Sequence, residues 1–201
     1  CNAKEIYNAT ILKYNNYFIE RQLSPDTVSL YITALRIYLD YLVDNHMIDH
    51  NPAKRVRSVK KPKSRREALT KDEAQRLLGL EFGNTLEDKR NKALLHLKLL
   101  TGLRDVSIIR LNAEDLQTKE GKHILYYATK GSSLKDNFVI LDTELYKIIK
   151  YYIDCRTVSD KDPLFGSCSD RNMGQRLTTQ SIGIIIRSLF KRADIDRRGI
   201  S

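Results

Sequence analysis

Residues 91–111, NKALLHLKLLTGLRDVSIIRL, contain a strongly apolar run, a break and a second, shorter apolar run. The apolar spacing of Asn91–Leu100 predicts a helix, and the pair Thr101-Gly102 predicts where that helix ends. Val106–Leu111 predicts a short helix after the break. Arg104 lies at the start of this short helix, where a turn can direct its side chain into a cleft. Arg104 is therefore a candidate site residue, and the alternative is an ordinary surface arginine.

A β-hairpin is predicted next. His123–Ala128 and Asn137–Leu141 are rich in branched and aromatic residues, which favours two short strands. The polar segment Thr129–Asp136 between them contains glycine and is typical of a turn. Such a turn can carry Lys130 into a groove, and Lys135 on the far side of the turn is the second candidate. The alternative for either lysine is a solvated turn position.

Helices account for most of the remaining sequence after residue 69. Thr70 and Glu73 have the spacing of a capping box and predict a helix start. Helical spacing of apolar residues predicts two further helices, at Thr143–Ile153 and Thr178–Ala193, and Pro163–Gly166 is a candidate buried loop. The predicted fold is mainly α with a small antiparallel β-sheet.

The N-terminal part of the chain is predicted to be a separate helical unit. Ser24-Pro25-Asp26 provides a cap, a first-turn proline and an acid, and a long amphipathic helix follows to about Asn45. Ile6–Ile19 has noisier helical spacing. Two helices cannot enclose a core by themselves, so we expect residues 1–54 to form an incomplete domain.

A basic segment separates the two parts and defines a linker at residues 55–68, ahead of a domain at 69–201. It contains no acid between residues 54 and 66 and includes Pro62. Its composition fits a solvated hinge, and the density of positive charge also fits an extended connector along a phosphate backbone. The basic residues are Lys54, Arg55, Arg57, Lys60, Lys61, Lys63, Arg65 and Arg66.

Composition narrows the classes of function. The formal net charge of +10 over 201 residues favours a polyanionic partner. A membrane role is disfavoured because no apolar run approaches the roughly 20 residues of a spanning helix. Three scattered cysteines without a C-x-x-C pair argue against a zinc site or a disulfide framework, and predict a reducing, cytoplasmic compartment. The start lacks both Met and a signal-peptide pattern, which indicates a fragment or a processed chain.

In their order and spacing, the segments after residue 69 are similar to the catalytic domain of the tyrosine recombinase and phage integrase family. Residues 24–54, with the Asn51-Pro52 exit, resemble the last helix of that family's core-binding domain. No single motif is specific, and the succession carries the resemblance. Its segments are Leu69–Glu73 at the domain entry, Thr101–Arg104 with Ile108–Leu111 as the first arginine box, Thr129–Gly131 as the lysine motif, and Pro163–Phe165 with Thr178–Ile195 before the second box.

The resemblance implies a two-domain DNA-breaking-rejoining fold with a SAM-like core-binding domain. It also implies site-specific recombinase or integrase activity through a 3′-phosphotyrosine intermediate, without a metal or nucleotide cofactor. Arg104 would stabilise charge on the phosphate, because its planar fork matches phosphate oxygens, and Lys130 would act as general acid. The implied partner is double-stranded DNA, on which the full-length protein would assemble as a tetramer.

Two departures from the family pattern affect the expected activity. Ser107 occupies the position three residues after Arg104 where the family usually has an acid. The family's H-x-x-R box and nucleophilic tyrosine would lie beyond Ser201, and none of the 11 tyrosines has that context. We therefore expect the 201-residue chain to be inactive alone, with Tyr146, Tyr151 and Tyr152 as core or surface residues.

Further cations are candidates for DNA contact, each with a solvated surface position as the alternative. Arg36 lies on the long N-terminal helix, and Arg187, Lys191 and Arg192 lie on the last helix. Together with the linker and Lys135 they would hold a duplex between the two domains. The alternative functions are a non-catalytic DNA-binding protein or degenerate recombinase and, less well supported, an RNA-binding protein. No convincing helix-turn-helix and no aromatic-rich sheet motif is present.

Overall fold

The computed structural model describes residues 6–56, 68–129, 131–132 and 134–195, in two compact units. The first unit belongs to residues 1–66 and the second to residues 67–201. The helices and strands, in chain order, are α1 (Asn8–Glu20), α2 (Pro25–Asp44), α3 (Lys71–Leu78), α4 (Leu86–Thr101), α5 (Asp105–Ile109), β1 (Leu116–Lys119), β2 (Lys122–Tyr127), β3 (Asn137–Leu141), α6 (Thr143–Asp154) and α7 (Thr179–Arg192), with a short 3-10 helix at Ala113–Asp115 before β1.

The first unit has a core of its own. The predicted start of α2 is confirmed, because the Ser24 side chain accepts a hydrogen bond from the Thr27 N–H at 3.2 Å. The chain after α2 adds Ile48, Ala53 and Val56 to the buried residues of the two helices. Sequence analysis considered only the helices and missed this third contribution. The other buried residues of this core are Ile11, Phe18, Val28, Ile32, Leu39 and Leu42.

Helix α4 occupies the centre of the second unit. Leu94, Leu95 and Leu97 are fully buried, and α4 packs along α6, which contributes Ile149 and Tyr152 to the same core. A helix with buried positions on several sides belongs inside a domain rather than on its surface. It begins earlier than predicted because Thr85 forms a capping box with Asp88.

The break after α4 is confirmed at the predicted residue. Gly102 has φ 65°, in the left-handed region, and its N–H donates to the carbonyl oxygen of Lys98 at 3.1 Å. Glycine is suited to this position because it has no Cβ to clash in that conformation. The chain then turns into α5, for which Arg104 is the N-cap residue.

The sheet has three antiparallel strands in the order β1-β2-β3. The predicted hairpin β2-β3 is confirmed, with Leu125 paired to Val139. Strand β1 was missed by sequence analysis. It pairs with β2 through the two-residue turn Glu120-Gly121, both with positive φ, which is the backbone that tight hairpin turns require.

Several sequence predictions lie outside the described residues. They concern the extended path of the linker and the basic residues Arg57, Lys60, Lys61, Lys63, Arg65 and Arg66. Within the ranges that the structure describes, no helix is both long and apolar enough to cross a membrane.

Gly102→Ala should lower the free energy of unfolding of the second unit by about 1 kcal/mol, because alanine is strained in the left-handed region. The matched control is Gly183→Ala inside α7, where an added Cβ would make only an ordinary contact, 3.7 Å from Arg187 Nη1. That change should stabilise by roughly 0.5 kcal/mol, since alanine favours the helix interior. Urea unfolding followed by circular dichroism measures both. Effects of the same sign would contradict the proposed role of Gly102 as the helix-ending residue.

Candidate active site

Arg104 is exposed at the N-terminal end of α5. The acid next to it, Asp105, forms an ion pair with Lys98 on α4. Ser107, which stands where the family usually has an acid, is only 4% exposed and lies against the core. Among the described residues, Arg104 takes part in no ion pair. Its positive charge is therefore available to an external anion.

The turn between β2 and β3 is attached to the segment that follows α5. Arg110 Nη1 donates to the carbonyl oxygen of Ser132 at 2.7 Å. On the other side of the turn, Lys135 Nζ lies 2.5 Å from Asp115 Oδ2. Lys130 lies outside the described residues. The prediction that Arg104 and Lys130 open onto one face therefore stays a prediction. Both sides of the turn are bonded to residues that follow α5, Arg110 and Asp115.

Asp115 connects the segment after α5 to the turn after β2. Its side chain is 7% exposed, and the same Oδ2 atom that meets Lys135 accepts the Asn112 N–H at 2.6 Å. Lys135 was the second candidate for general acid. Its pairing with a buried carboxylate gives it a structural partner. The acid role of Lys130 stays a prediction. A DNA contact by Lys135 stays a prediction.

Some of the cations proposed for DNA contact are bonded within the protein. Arg36 donates to the carbonyl oxygens of Ala53, at 3.2 Å, and Val56, so it fastens the end of the first unit to α2. Arg192 Nη2 donates to the Glu81 carbonyl at 2.6 Å and lies over the Phe82 ring. Sequence analysis anticipated neither contact.

The other proposed cations are exposed. They are Arg187 and Lys191 on α7, and Lys54 and Arg55 at the end of the first unit's described residues. Arg187 lines a cavity of about 320 Å³ with Lys98 and Gly102, at the break that precedes Arg104. DNA contact by each of these cations stays a prediction.

The three tyrosines of α6 have the structural positions expected of them. The Tyr146 ring stacks on His123 with centroids 3.6 Å apart, and Lys89 Nζ lies 4.8 Å from the Tyr151 ring centroid. Tyr152 is fully buried, and its Oη accepts the Gly166 N–H at 3.1 Å. Burial raises the pKa of the Tyr152 phenol, so this side chain is a poor nucleophile where it stands.

Arg176 is a neighbour of the site that sequence analysis missed. Its Nη1 donates to the carbonyl oxygens of Ile109 and Leu111 at 2.6 and 3.0 Å, and its Nη2 donates to Asn112 Oδ1 at 2.7 Å. These bonds satisfy carbonyls at the C-terminal end of α5. No local signal could reveal them, since the partners are more than 60 residues apart. Within the described ranges, no group of three or more His, Cys, Asp and Glu side chains could hold a metal ion.

Comparison with known families and named proteins gives consistent matches. The family model described as the phage integrase family matches residues 67–200. Tyrosine recombinase XerD of Oceanobacillus iheyensis is 30% identical over 174 residues, covering 86% of this chain and 57% of that protein. Tyrosine recombinase XerC of Thermodesulfovibrio yellowstonii is 29% identical over 186 residues, covering 87% and 59%. The chain thus spans less than two thirds of the length of these relatives.

Solved structures share the fold. A XerH site-specific recombinase bound to palindromic difH substrate matches with a TM-score of 0.76 at 18% identity, covering 98% of this chain and 58% of that one. A lambda integrase dimer (residues 75–356) bound to a core site matches with a TM-score of 0.72 at 15% identity, covering 100% and 70%. The mainly helical architecture with a small antiparallel sheet is therefore that of these proteins.

Asp115→Ala should lower the free energy of unfolding by about 2–3 kcal/mol, because it leaves a half-buried ammonium and the Asn112 N–H without their acceptor. Lys135→Met combined with Asp115→Ala should cost less than the sum of the single changes, with a coupling of about 1–3 kcal/mol. Urea unfolding of Asp115→Ala, Lys135→Met and the double variant measures this coupling.

The matched control is the exposed pair Lys150–Asp154, whose side chains are 48% and 55% exposed. Asp154→Ala should cost less than about 1 kcal/mol, since water screens the pair. If Asp115→Ala costs no more than Asp154→Ala, Asp115 does not hold the turn in place.

Proposed function

The chain belongs to the phage integrase family, and we propose that its protein is a tyrosine-type site-specific DNA recombinase. The observation that carries the proposal is that Arg110 and Asp115, which follow the exposed Arg104 in the chain, bond to residues on both sides of the position of Lys130. Phosphoryl transfer needs a fixed positive charge beside the phosphate and a proton donor for the leaving oxygen. This arrangement supports both roles.

The proposed reaction is in-line displacement at a DNA phosphodiester. A tyrosine oxygen attacks phosphorus, the bond to the 5′-oxygen breaks, and Lys130 gives that oxygen a proton. Arg104 donates to the non-bridging oxygens, where negative charge increases in the transition state. Attack by a 5′-hydroxyl on the 3′-phosphotyrosine then reverses the steps and rejoins the strand. In the family pattern, the second arginine box and the attacking tyrosine follow the segments matched here.

The proposed domains follow from the same assignment. Residues 1–54 would be a helical core-binding domain, residues 55–68 a basic linker, and residues 69–201 a catalytic domain. The linker cations, with Arg187 and Lys191 of α7, would contact phosphates of double-stranded DNA. Assembly of the full-length protein as a tetramer on DNA and a cytoplasmic location belong to this proposal.

Ser107 supports one alternative function. A recombinase without the usual acid near Arg104 could be a degenerate member of the family that binds DNA without cutting it. A suicide-substrate assay on the full-length protein separates the two functions. A covalent protein–DNA adduct supports the enzyme, and tight binding without an adduct supports the degenerate form.

The 201-residue chain alone should bind duplex DNA and fail to cleave it. If about five phosphates are contacted, the logarithm of affinity should fall against the logarithm of salt concentration with a slope near −4 to −5. Titration of a nicked duplex across a salt series measures the slope, and a denaturing gel detects any adduct. Salt-independent affinity would contradict DNA binding. An adduct on a tyrosine within residues 1–201 would contradict the proposed mechanism.

Arg104→Ala in the full-length protein should lower the rate of cleavage by roughly 10²–10³-fold while leaving most of the duplex affinity. The reason is that its charge acts mainly on the transition state, whereas many other cations contribute to binding. The matched control is Arg171→Ala, another exposed arginine of the second unit. Parallel losses of cleavage and affinity in Arg104→Ala would indicate a binding or folding role instead.

A further inference from the structure

A concave surface lies between the C-terminal end of α5 and the turn after β2. It encloses about 560 Å³, and Arg110, Asn112, Gly131, Ser132, Lys135 and Arg176 contribute to its lining. These residues come from three separate stretches of the chain, so the surface exists only in the folded domain. We call it the Arg110–Arg176 pocket.

Positive charge dominates this pocket. Of its three cations, Lys135 is paired with the buried Asp115 carboxylate. Arg110 and Arg176 are exposed and bond to neutral oxygens, the carbonyls of Ser132, Ile109 and Leu111 and the amide oxygen of Asn112. A neutral acceptor orients a guanidinium without cancelling its charge. The Glu114 carboxylate accepts from the Asn112 side-chain amide at 3.4 Å.

The two guanidinium groups keep donors for a ligand. A guanidinium has five N–H donors. Arg110 uses one nitrogen and Arg176 uses two in their bonds to described residues. Because these bonds already restrict both side chains, an anion in the pocket would order them at a smaller loss of side-chain entropy.

The pocket is near the proposed site residues along the chain. It includes Gly131 and Ser132, which directly follow Lys130 in the sequence. Arg110 and Arg104 flank opposite ends of α5, about 9 Å apart along the axis at the rise of an α-helix. Successive phosphates of one DNA strand advance about 3.4 Å each along the duplex. A strand that ran along α5 from Arg104 would therefore present further phosphates over the length that separates the two arginines.

We propose that the Arg110–Arg176 pocket binds a phosphodiester of the DNA backbone, a few nucleotides from the phosphate at Arg104. This inference rests on the proposed function. The contact would be independent of base sequence, because it involves only phosphate oxygens. It would also hold the lysine-bearing turn against the DNA, since Arg110 bonds at once to the turn and to the phosphate.

The test is duplex binding by the 201-residue chain across a salt series, with two unrelated 20-base-pair duplexes. Arg110→Gln and Arg176→Gln should each make the log–log slope shallower, by less than the roughly 0.9 of one lost phosphate contact, because the other arginine remains. The double variant should lose about 0.9 and no more, because both arginines bind the same phosphate. Arg110→Lys should retain most of the wild-type slope. Both duplexes should give the same changes.

The matched control is Arg171→Gln, which removes the same charge from an exposed position outside the pocket lining. It should leave the slope unchanged. If Arg110→Gln behaves like Arg171→Gln while the wild type shows a steep slope, the proposed phosphate contact in the pocket is overturned and the proposed function stands. If the wild type itself shows no salt-dependent binding, both are overturned. Arg176→Gln also loses three bonds to the protein, whereas Arg110→Gln loses one. The thermal midpoint of each variant is therefore measured to detect a loss of folding, and Arg110→Gln decides the outcome.

Discussion

The buried carboxylate of Asp115 is the contact on which the geometry of the candidate site depends. It accepts hydrogen bonds from the Asn112 backbone and the Lys135 ammonium. It therefore joins the segment that follows α5 to the β3 side of the turn between β2 and β3. A buried ion pair contributes little net stability compared with an apolar pair of the same shape, yet losing one partner is costly. Its value here is positional, because with the bond from Arg110 to Ser132 it fixes the turn after β2 to the segment that follows α5.

Local sequence patterns predicted most helices and strands, whereas contacts between distant residues determine the geometry of the candidate site. Gly102 and the Thr70–Glu73 capping box mark helix ends through interactions within a few residues, which a sequence shows directly. Strand β1 was missed because four residues are too few for a clear alternation. The bonds from Arg176 to the end of α5 cross more than 60 residues, so they follow only from the folded core. Arg104 was selected from the sequence, whereas the contacts of Arg110 and Arg176 at the other end of α5 became visible only in the structure.

The environment of Arg104 differs from the usual family pattern in a way that changes its electrostatics. A carboxylate at position 107 would restrain the guanidinium and offset part of its charge. The buried Ser107 has no charge, and the neighbouring Asp105 is already paired with Lys98 on α4. Among the described residues, Arg104 therefore keeps its charge uncompensated and has no carboxylate to fix its orientation. The substrate phosphate itself would supply that orientation, through the planar match between guanidinium and phosphate oxygens.

Several arginines among the described residues fall into two classes, according to whether their bonding partner is charged or neutral. Arg90 is buried and bonded to the Glu87 carboxylate, so its charge is compensated. Arg36, Arg110, Arg176 and Arg192 bond to carbonyl or amide oxygens, which orders them while leaving their charge intact. A protein that must bind a polyanion gains from the second class, because each such arginine satisfies a backbone acceptor and also adds to a positive surface with restricted side chains. The bonds made at the end of α5 and within the first unit therefore order these arginines while leaving their charge uncancelled.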